Sequence, residues 1–404
     1  MSNPNSNSNR IAPIFLFLAA ALLLTICTVQ PAHAQTLTTL YSFGAISYDG
    51  DFPESTLSMD AQGNLFGTTA GGGKGQAHRC PCGTAFMLSA NGVETVVHSF
   101  FNASDSDPGQ QALGPDGNLY VPTYGTGRRN YNGKIVELMK PHFKKAKVLF
   151  NFTKDPGAGE HPVALIPDAQ GNVLGAASGG GPNGYGLIFE VTAQGTETVL
   201  HNFAGPPTEG VSPRALMSDG KGNFYGTTLY GGSSGNTYLG GTVFQLTPDG
   251  TVKTLYNFCS QTNCLDGSVP EGGLFLDSQG NLYGTTFYGG ADNSGTVFEL
   301  TASGVEKVLY SFAGGTDGQY PMAGVVMDAS GNLYGTTAYG GVHSYGTVYE
   351  LTPTGKEIVL YSFYSGPDGV YPWGGFILDG QGNLIGTTAE GGAYGQGTIF
   401  KFTP

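Results

Sequence analysis

One short string recurs seven times along this chain and governs what it can become. It is Gly-Asn followed by apolar and aromatic residues, usually closing on Gly-Thr-Thr. Copies begin at Gly63-Asn64, Gly117-Asn118, Gly171-Asn172, Gly222-Asn223, Gly280-Asn281, Gly331-Asn332 and Gly382-Asn383, spaced 51 to 58 residues apart. A period of this size marks a repeat architecture, in which each unit buries its core only against its neighbours.

The sixth copy shows the content of one unit. Gly324 to Met327 reads as a first strand, and Asp328-Ala329-Ser330-Gly331 turns the chain. Asn332 to Thr337 is a second strand, followed by a glycine-rich loop from Tyr339-Gly340-Gly341. Gly346 to Leu351 is a third, Thr352-Pro353-Thr354-Gly355 a tight turn, and Glu357 to Phe363 a fourth. Asp opening a turn bonds its own backbone, and Gly closing it supplies positive φ. β-branched and aromatic residues fill the runs between. Four antiparallel strands in about 50 residues are what a propeller blade requires. The 404-residue length alone would suggest two or three domains, but the repeat predicts one. The 67 glycines and 12% charged residues suit short strands joined by tight turns.

An open solenoid is the rival, and the placing of the strands decides between them. Third strands number seven, from Gly83 to Gly397, while the first of seven fourth strands, Leu37 to Phe43, precedes every other element. The C-terminal copy thus lacks its outer strand and the N-terminal segment carries an orphan. Ring closure solves both and leaves no bare edge at the seam. The expectation is an all-β fold: a single seven-bladed β-propeller over residues 35–404, closed by residues 37–43 pairing with the C-terminal blade.

Residues 1–34 read as a secretory signal peptide: Arg10, an apolar run from Ile11 to about Cys27, then Ala32-His33-Ala34. The run is short for a membrane span, so the reading is an exported chain, secreted or periplasmic, with no membrane span after cleavage. With no anchor segment after the last repeat, the expectation is release or a non-covalent association rather than tethering. Of 17 basic residues the leader holds only Arg10, leaving 16 against 30 acids, a balance that argues against nucleic-acid binding and favours a soluble monomer. An even set of cysteines in an exported chain reads as disulfides before metal. Cys259 with Cys264 closes a small loop, contributing roughly 2 kcal/mol on the loop-entropy model. Cys80 with Cys82 would form a strained ring, and that pairing stays open.

The element apolar-x-x-Asp-x-x-Gly-Asn-apolar-aromatic resembles blades of the NHL and gluconolactonase class of propellers. Gly280 to Thr286, Gly331 to Thr337, Gly295 to Leu300 and Leu309 to Phe312 are similar to the consensus of the bacterial GloVer tandem repeat, across essentially the whole mature chain. That resemblance implies an exported repeat protein and brings no defined activity with it.

In such a blade the fourth-to-first and second-to-third connections share one face, and here they are the long, variable ones. Binding uses loops on a rigid scaffold, so this long-loop face is the expected site. It carries Asp49, Glu209, Asp266, Asp317 and Asp368 in an acid-Gly-x-x-Pro element. Turn chemistry explains Asp-Gly; the sharper reading is a carboxylate ring for a cationic partner. Equivalent acids on blades about 10 Å apart cannot share one Ca²⁺, which needs oxygens at about 2.3–2.6 Å, so no metal is expected. The face also carries Tyr124, Tyr230, Tyr288, Tyr339, Tyr320, Tyr371 and Trp373, read either as interblade packing or as a stacking platform for sugar or peptide. No histidine has metal-ligand spacing and no catalytic motif stands in context, so no catalytic residue and no cofactor is assigned. Blade two diverges and gathers Arg128, Arg129, Lys134, Lys140, Lys144, Lys145, Lys147 and Lys154, read as solvated turn and edge residues or as a docking patch for an acidic partner or anionic polymer.

Two functions follow. The first is a non-catalytic scaffold binding a glycan or cell-surface protein through the long-loop face. The alternative is a propeller hydrolase or lactonase acting at the central channel. Three or more polar side chains converging at the channel mouth, with at least one His or buried carboxylate among them, would favour the enzyme.

Overall fold

The computed structural model describes residues 35–404, apart from 75–81, 102–105, 126–131, 154–156 and 235–238. Seven four-stranded antiparallel sheets follow one another along the chain and form the blades of a ring. Blade six, for example, runs Val326–Met327, Leu333–Thr337, Thr347–Leu351 and Glu357–Ser362 from axis to rim. Blade seven is assembled from both ends. Ile377–Leu378, Leu384–Thr388 and Thr398–Thr403 are joined by Thr36–Ser42 as the outer strand. The closing ladder sets Thr36 opposite Thr403 and Ser42 opposite Thr398.

Repeated local chemistry builds each blade. The turn Asp accepts hydrogen bonds from the backbone N–H and side-chain amide of the anchor Asn, as Asp328 does from Asn332 at 2.9 Å each. The second Thr of Gly-Thr-Thr meets the first Thr of the third strand, 2.8 Å apart for Thr337 and Thr347. Every outer pairing slips by one residue, Leu360 falling between Val348↔Tyr361 and Tyr349↔Val359 in blade six. Such a bulge adds twist and bends the rim strand.

The core lies between blades rather than within them: seven hydrophobic clusters occupy the seven seams. At six of them the Phe that ends one outer strand meets the aromatic ring of the next blade's third strand edge-on. These pairs are Phe43–Phe86, Phe152–Phe189, Phe203–Phe244, Phe258–Phe298, Phe312–Tyr349 and Phe363–Phe400, with centroids 4.9 to 5.3 Å apart. Edge-to-face geometry adds about 0.5–1.5 kcal/mol per pair beyond the area buried. The seam between blades one and two is the exception. Val136 stands where the ring would be, and Phe143 fills the seam against Phe66 at 5.2 Å.

In blades three and four the innermost strand runs nine residues, Gly159–Pro167 and Gly210–Ser218, but in the other five it is shorter than the sequence leads one to expect. Blade six pairs only Val326–Met327 of the run from Gly324. Near the axis the backbones of neighbouring blades touch: a Cβ on Gly324 would sit 2.2 Å from the Gly273 carbonyl oxygen. The closing strand spans 36–42 rather than 37–43, with Phe43 wholly buried beyond its end.

Candidate functional site

The long-loop face is organised by a proline that recurs in all seven blades: Pro53, Pro108, Pro162, Pro213, Pro270, Pro321 and Pro372. Each packs on the glycine that opens the preceding blade's third strand. At the joints Gly346–Pro372 and Gly397–Pro53 a Cβ on the glycine would lie 2.6 Å from the proline Cδ. The residue before each proline is left-handed though none is glycine: Phe52, Asp107, His161, Ser212, Val269, Tyr320 and Tyr371 have φ between 56 and 60°. Non-glycine residues avoid this region, above all a β-branched one such as Val269. Backbone bonds to two blades hold it. Tyr320 N–H donates to Ser294 O of the preceding blade (2.8 Å), and its carbonyl accepts from Ala338 N–H (3.1 Å).

This wedge delivers the following residue to the axis. Glu54, Gly109, Val163, Arg214, Glu271, Met322 and Trp373, one per blade, all line a single axial cavity of about 790 Å³. Asp107, Tyr124, Gln110 and Gln111 join them. Arg214 Nη2 lies 3.3 Å from Glu271 Oε1. Burial raises Glu54 to about 7, with Asp107 adding to the rise and Arg214 opposing it. Burial likewise lifts Asp107 and Glu271, and Arg214 holds both back. The guanidinium thus pairs with Glu271 of blade five, and its charge also favours the ionised forms of Glu54 and Asp107.

The predicted loop acids lie elsewhere. In each of the five blades the acid faces a ring of the outer strand: Tyr41 donates to Asp49 (2.7 Å), Tyr256 to Asp266 (2.9 Å), Tyr310 to Asp317 (2.7 Å) and Tyr361 to Asp368. His201 Nε2 is 3.1 Å from Glu209. Most also cap the loop backbone, as Asp317 does for Ala313 N–H at 2.6 Å. Asp49 and Asp266 are buried. These carboxylates are engaged inside the loops and do not form a ring about the axis.

Five of the seven predicted aromatics, Tyr288, Tyr320, Tyr339, Tyr371 and Trp373, are brought together. Tyr320 stacks on Phe287 (4.9 Å) and meets Tyr288 edge-on (5.4 Å). Tyr339 stands 6.3 Å from Tyr320 and 5.3 Å from Tyr371, and Tyr371 stacks on Trp373 at 6.1 Å. One arc therefore runs from Tyr288 in blade five to the cavity wall at Trp373. On the far side Tyr124 stacks on His161 at 4.0 Å. Burial raises Tyr230, Glu271 adds to the rise and Arg214 opposes it, which places this ring beside the ion pair. Tyr124 and Tyr288 are more than a third exposed.

The axial charges Glu54, Asp107, Arg214 and Glu271 were missed in the sequence. For Glu54, Arg214 and Glu271 the signal was available, because the position after the proline is the variable one in an otherwise repetitive loop; Asp107 precedes its proline and carried no such signal. Cys259 and Cys264 are bonded across a separation of five residues. Cys82 is buried; Cys80, and with it the Cys80–Cys82 pairing, lies outside the described residues, as do Arg128, Arg129 and Lys154. Among the described residues no group of three or more His, Cys, Asp or Glu could hold a metal, and no helix is long and apolar enough to cross a membrane.

The profile of the Gloeobacter/Verrucomicrobia repeat matches residues 107–331 and 315–404. No curated protein matches. Among solved structures the chain is similar to the extracellular domain of a hybrid two-component system of B. thetaiotaomicron. Identity is 16% and the TM-score 0.58, covering 92% of this chain and 41% of that one. It is also similar to the extracellular domain of a one-component system of that organism, with 12% identity, a TM-score of 0.56, and 91% and 41% covered. A gluconolactonase of Xanthomonas campestris aligns at 15% identity and a TM-score of 0.44, with 91% and 89% covered. The chain spans about two fifths of the length of the two B. thetaiotaomicron proteins.

Proposed function

The chain belongs to the Gloeobacter/Verrucomicrobia repeat family, and from that premise and the axial cavity we propose an exported, non-catalytic scaffold that binds a glycan at the axial mouth of its long-loop face. The observation that carries the reading is the aromatic arc from Tyr288 to Trp373, which ends in a cavity whose other walls hold Glu54, Asp107, Arg214 and Glu271. Flat rings stack on the apolar faces of sugars while charged and amide groups take the hydroxyls, and about 790 Å³ falls within the range of small-ligand pockets. Cleavage of residues 1–34 and delivery outside the cytoplasm belong to the same proposal, and the Cys259–Cys264 disulfide supports them. A glycan array probed with the purified protein tests it. Binding that falls at least tenfold in Trp373→Ala supports the reading; a blank array, or equal binding by the variant, sinks it.

A second reading meets the condition set for an enzyme, because the carboxyls of Glu54, Asp107 and Glu271, each desolvated by burial, converge with Arg214 at the channel mouth. Glu54 is held near 7 among other carboxyls, where a group serves as general acid or base at neutral pH. The reading is hydrolysis of a glycoside or lactone at the same cavity. Turnover of a panel of such substrates that is abolished in Glu54→Gln would replace the scaffold by the enzyme.

A further inference from the structure

The turn joining Lys134–Met139 to Lys145–Asn151 in blade two differs from its counterparts. Elsewhere this connection is short and polar and carries a left-handed glycine, such as Gly304 or Gly355. Here residues 140–145 read Lys-Pro-His-Phe-Lys-Lys, and Phe143 takes the positive φ, at 54°. Its ring is buried in the first seam against Phe66. The turn is therefore pinned by its one large apolar side chain, while Lys140, His142, Lys144 and Lys145 stand exposed around it.

We infer that this turn is a docking point for an anionic polymer, one bearing repeated phosphate, sulfate or carboxylate groups, on the face opposite the axial mouth. The nearby acids are already engaged. Glu137 is buried and takes Asn118 Nδ2 (2.8 Å) and Lys147 (3.5 Å), and Asp116 takes Asn118 and Tyr120. Among the described residues no carboxylate pairs with Lys140, Lys144 or Lys145. The chain as a whole carries −13, yet at physiological salt charges are screened beyond about 8 Å, so the local cluster decides what docks there. Burial of Phe143 pins the backbone that carries these exposed side chains, so the turn itself loses less entropy on binding than a loose loop would. A polymer fits better than a membrane surface, because no large apolar side chain of the turn is free to insert.

The test uses dextran sulfate resin and, separately, phosphatidylglycerol vesicles. Wild type is expected to be retained on the resin at about 0.15 M salt. The triple variant Lys140→Glu, Lys144→Glu, Lys145→Glu should flow through with an unchanged melting temperature. Each reversed lysine should remove about one from the slope of log affinity against log salt. Lys307→Glu in blade five is the control and should bind like wild type. Flow-through of wild type, or equal retention of the triple variant, overturns the proposal. Binding to vesicles without retention on the resin overturns the polymer in favour of a membrane.

Discussion

At the scale of single residues, the seams hide carboxyls that keep their protons. Glu94, Glu306 and Glu357 each open an outer strand. Burial raises them to about 8, 7 and 7, and Asp49, Asp266 and Asp317 add to the rise in turn. Folded, these groups stay protonated above the ordinary 4.5; unfolded, they do not. The native state thus binds more protons in this window, and stability present at pH 4.5 is lost as pH rises through 7 to 8. The melting temperature is expected to fall between about pH 5 and pH 8.5, with Glu54 contributing in the same direction. The combined Glu94→Gln, Glu306→Gln, Glu357→Gln variant should show a shallower fall and melt above wild type at the alkaline end. A wild-type curve flat across that range would contradict the assignment. None of this was legible in the sequence, where a Glu before a run of alternating residues looks like an ordinary solvated strand start.

At the scale of elements, the glycine–proline wedge sets one blade against the next. Gly346 and Gly304 both have positive φ, 100 and 85°, but a Cβ on Gly346 would meet Thr337 O at 2.5 Å and Pro372 Cδ at 2.6 Å, whereas Gly304 has open space. Gly304→Ala should cost the left-handed penalty alone, about 1–2 kcal/mol. Gly346→Ala adds the clash and should cost at least about 2 kcal/mol more, read from denaturant unfolding. Equal losses would show that the wedge yields. The strands and their order were legible because Asp, Gly, Asn and Thr repeat wherever backbone chemistry demands them. The wedge was half legible: its prolines are visible, but Phe52, His161 and Tyr320 give no hint of left-handed backbone. The axial site was least legible: the rings of Trp373 and Tyr124 stand out in the sequence, but Glu54, Arg214 and Glu271 are unlike one another and a search for sameness passes over them.

For the whole molecule, the ring depends on Thr36–Ser42. Removing residues 35–43 leaves Thr398–Thr403 as a bare edge and takes Phe43 from the seam it shares with Phe86. Such edges recruit other chains. The truncated protein should melt well below wild type and self-associate during size-exclusion chromatography; unchanged melting and a monomeric profile would refute closure. That same strand also imposes an order in time. It is made before all the others, yet Ser42 meets Ala393 across 351 residues of chain. Six blades can condense from local contacts alone, whereas pairing Thr36–Ser42 with Thr398–Thr403 has to close a loop spanning nearly the whole ring, which makes it the slow step. Until that closure the strand is an unpaired ribbon, the part of the folding chain most open to pairing with another molecule.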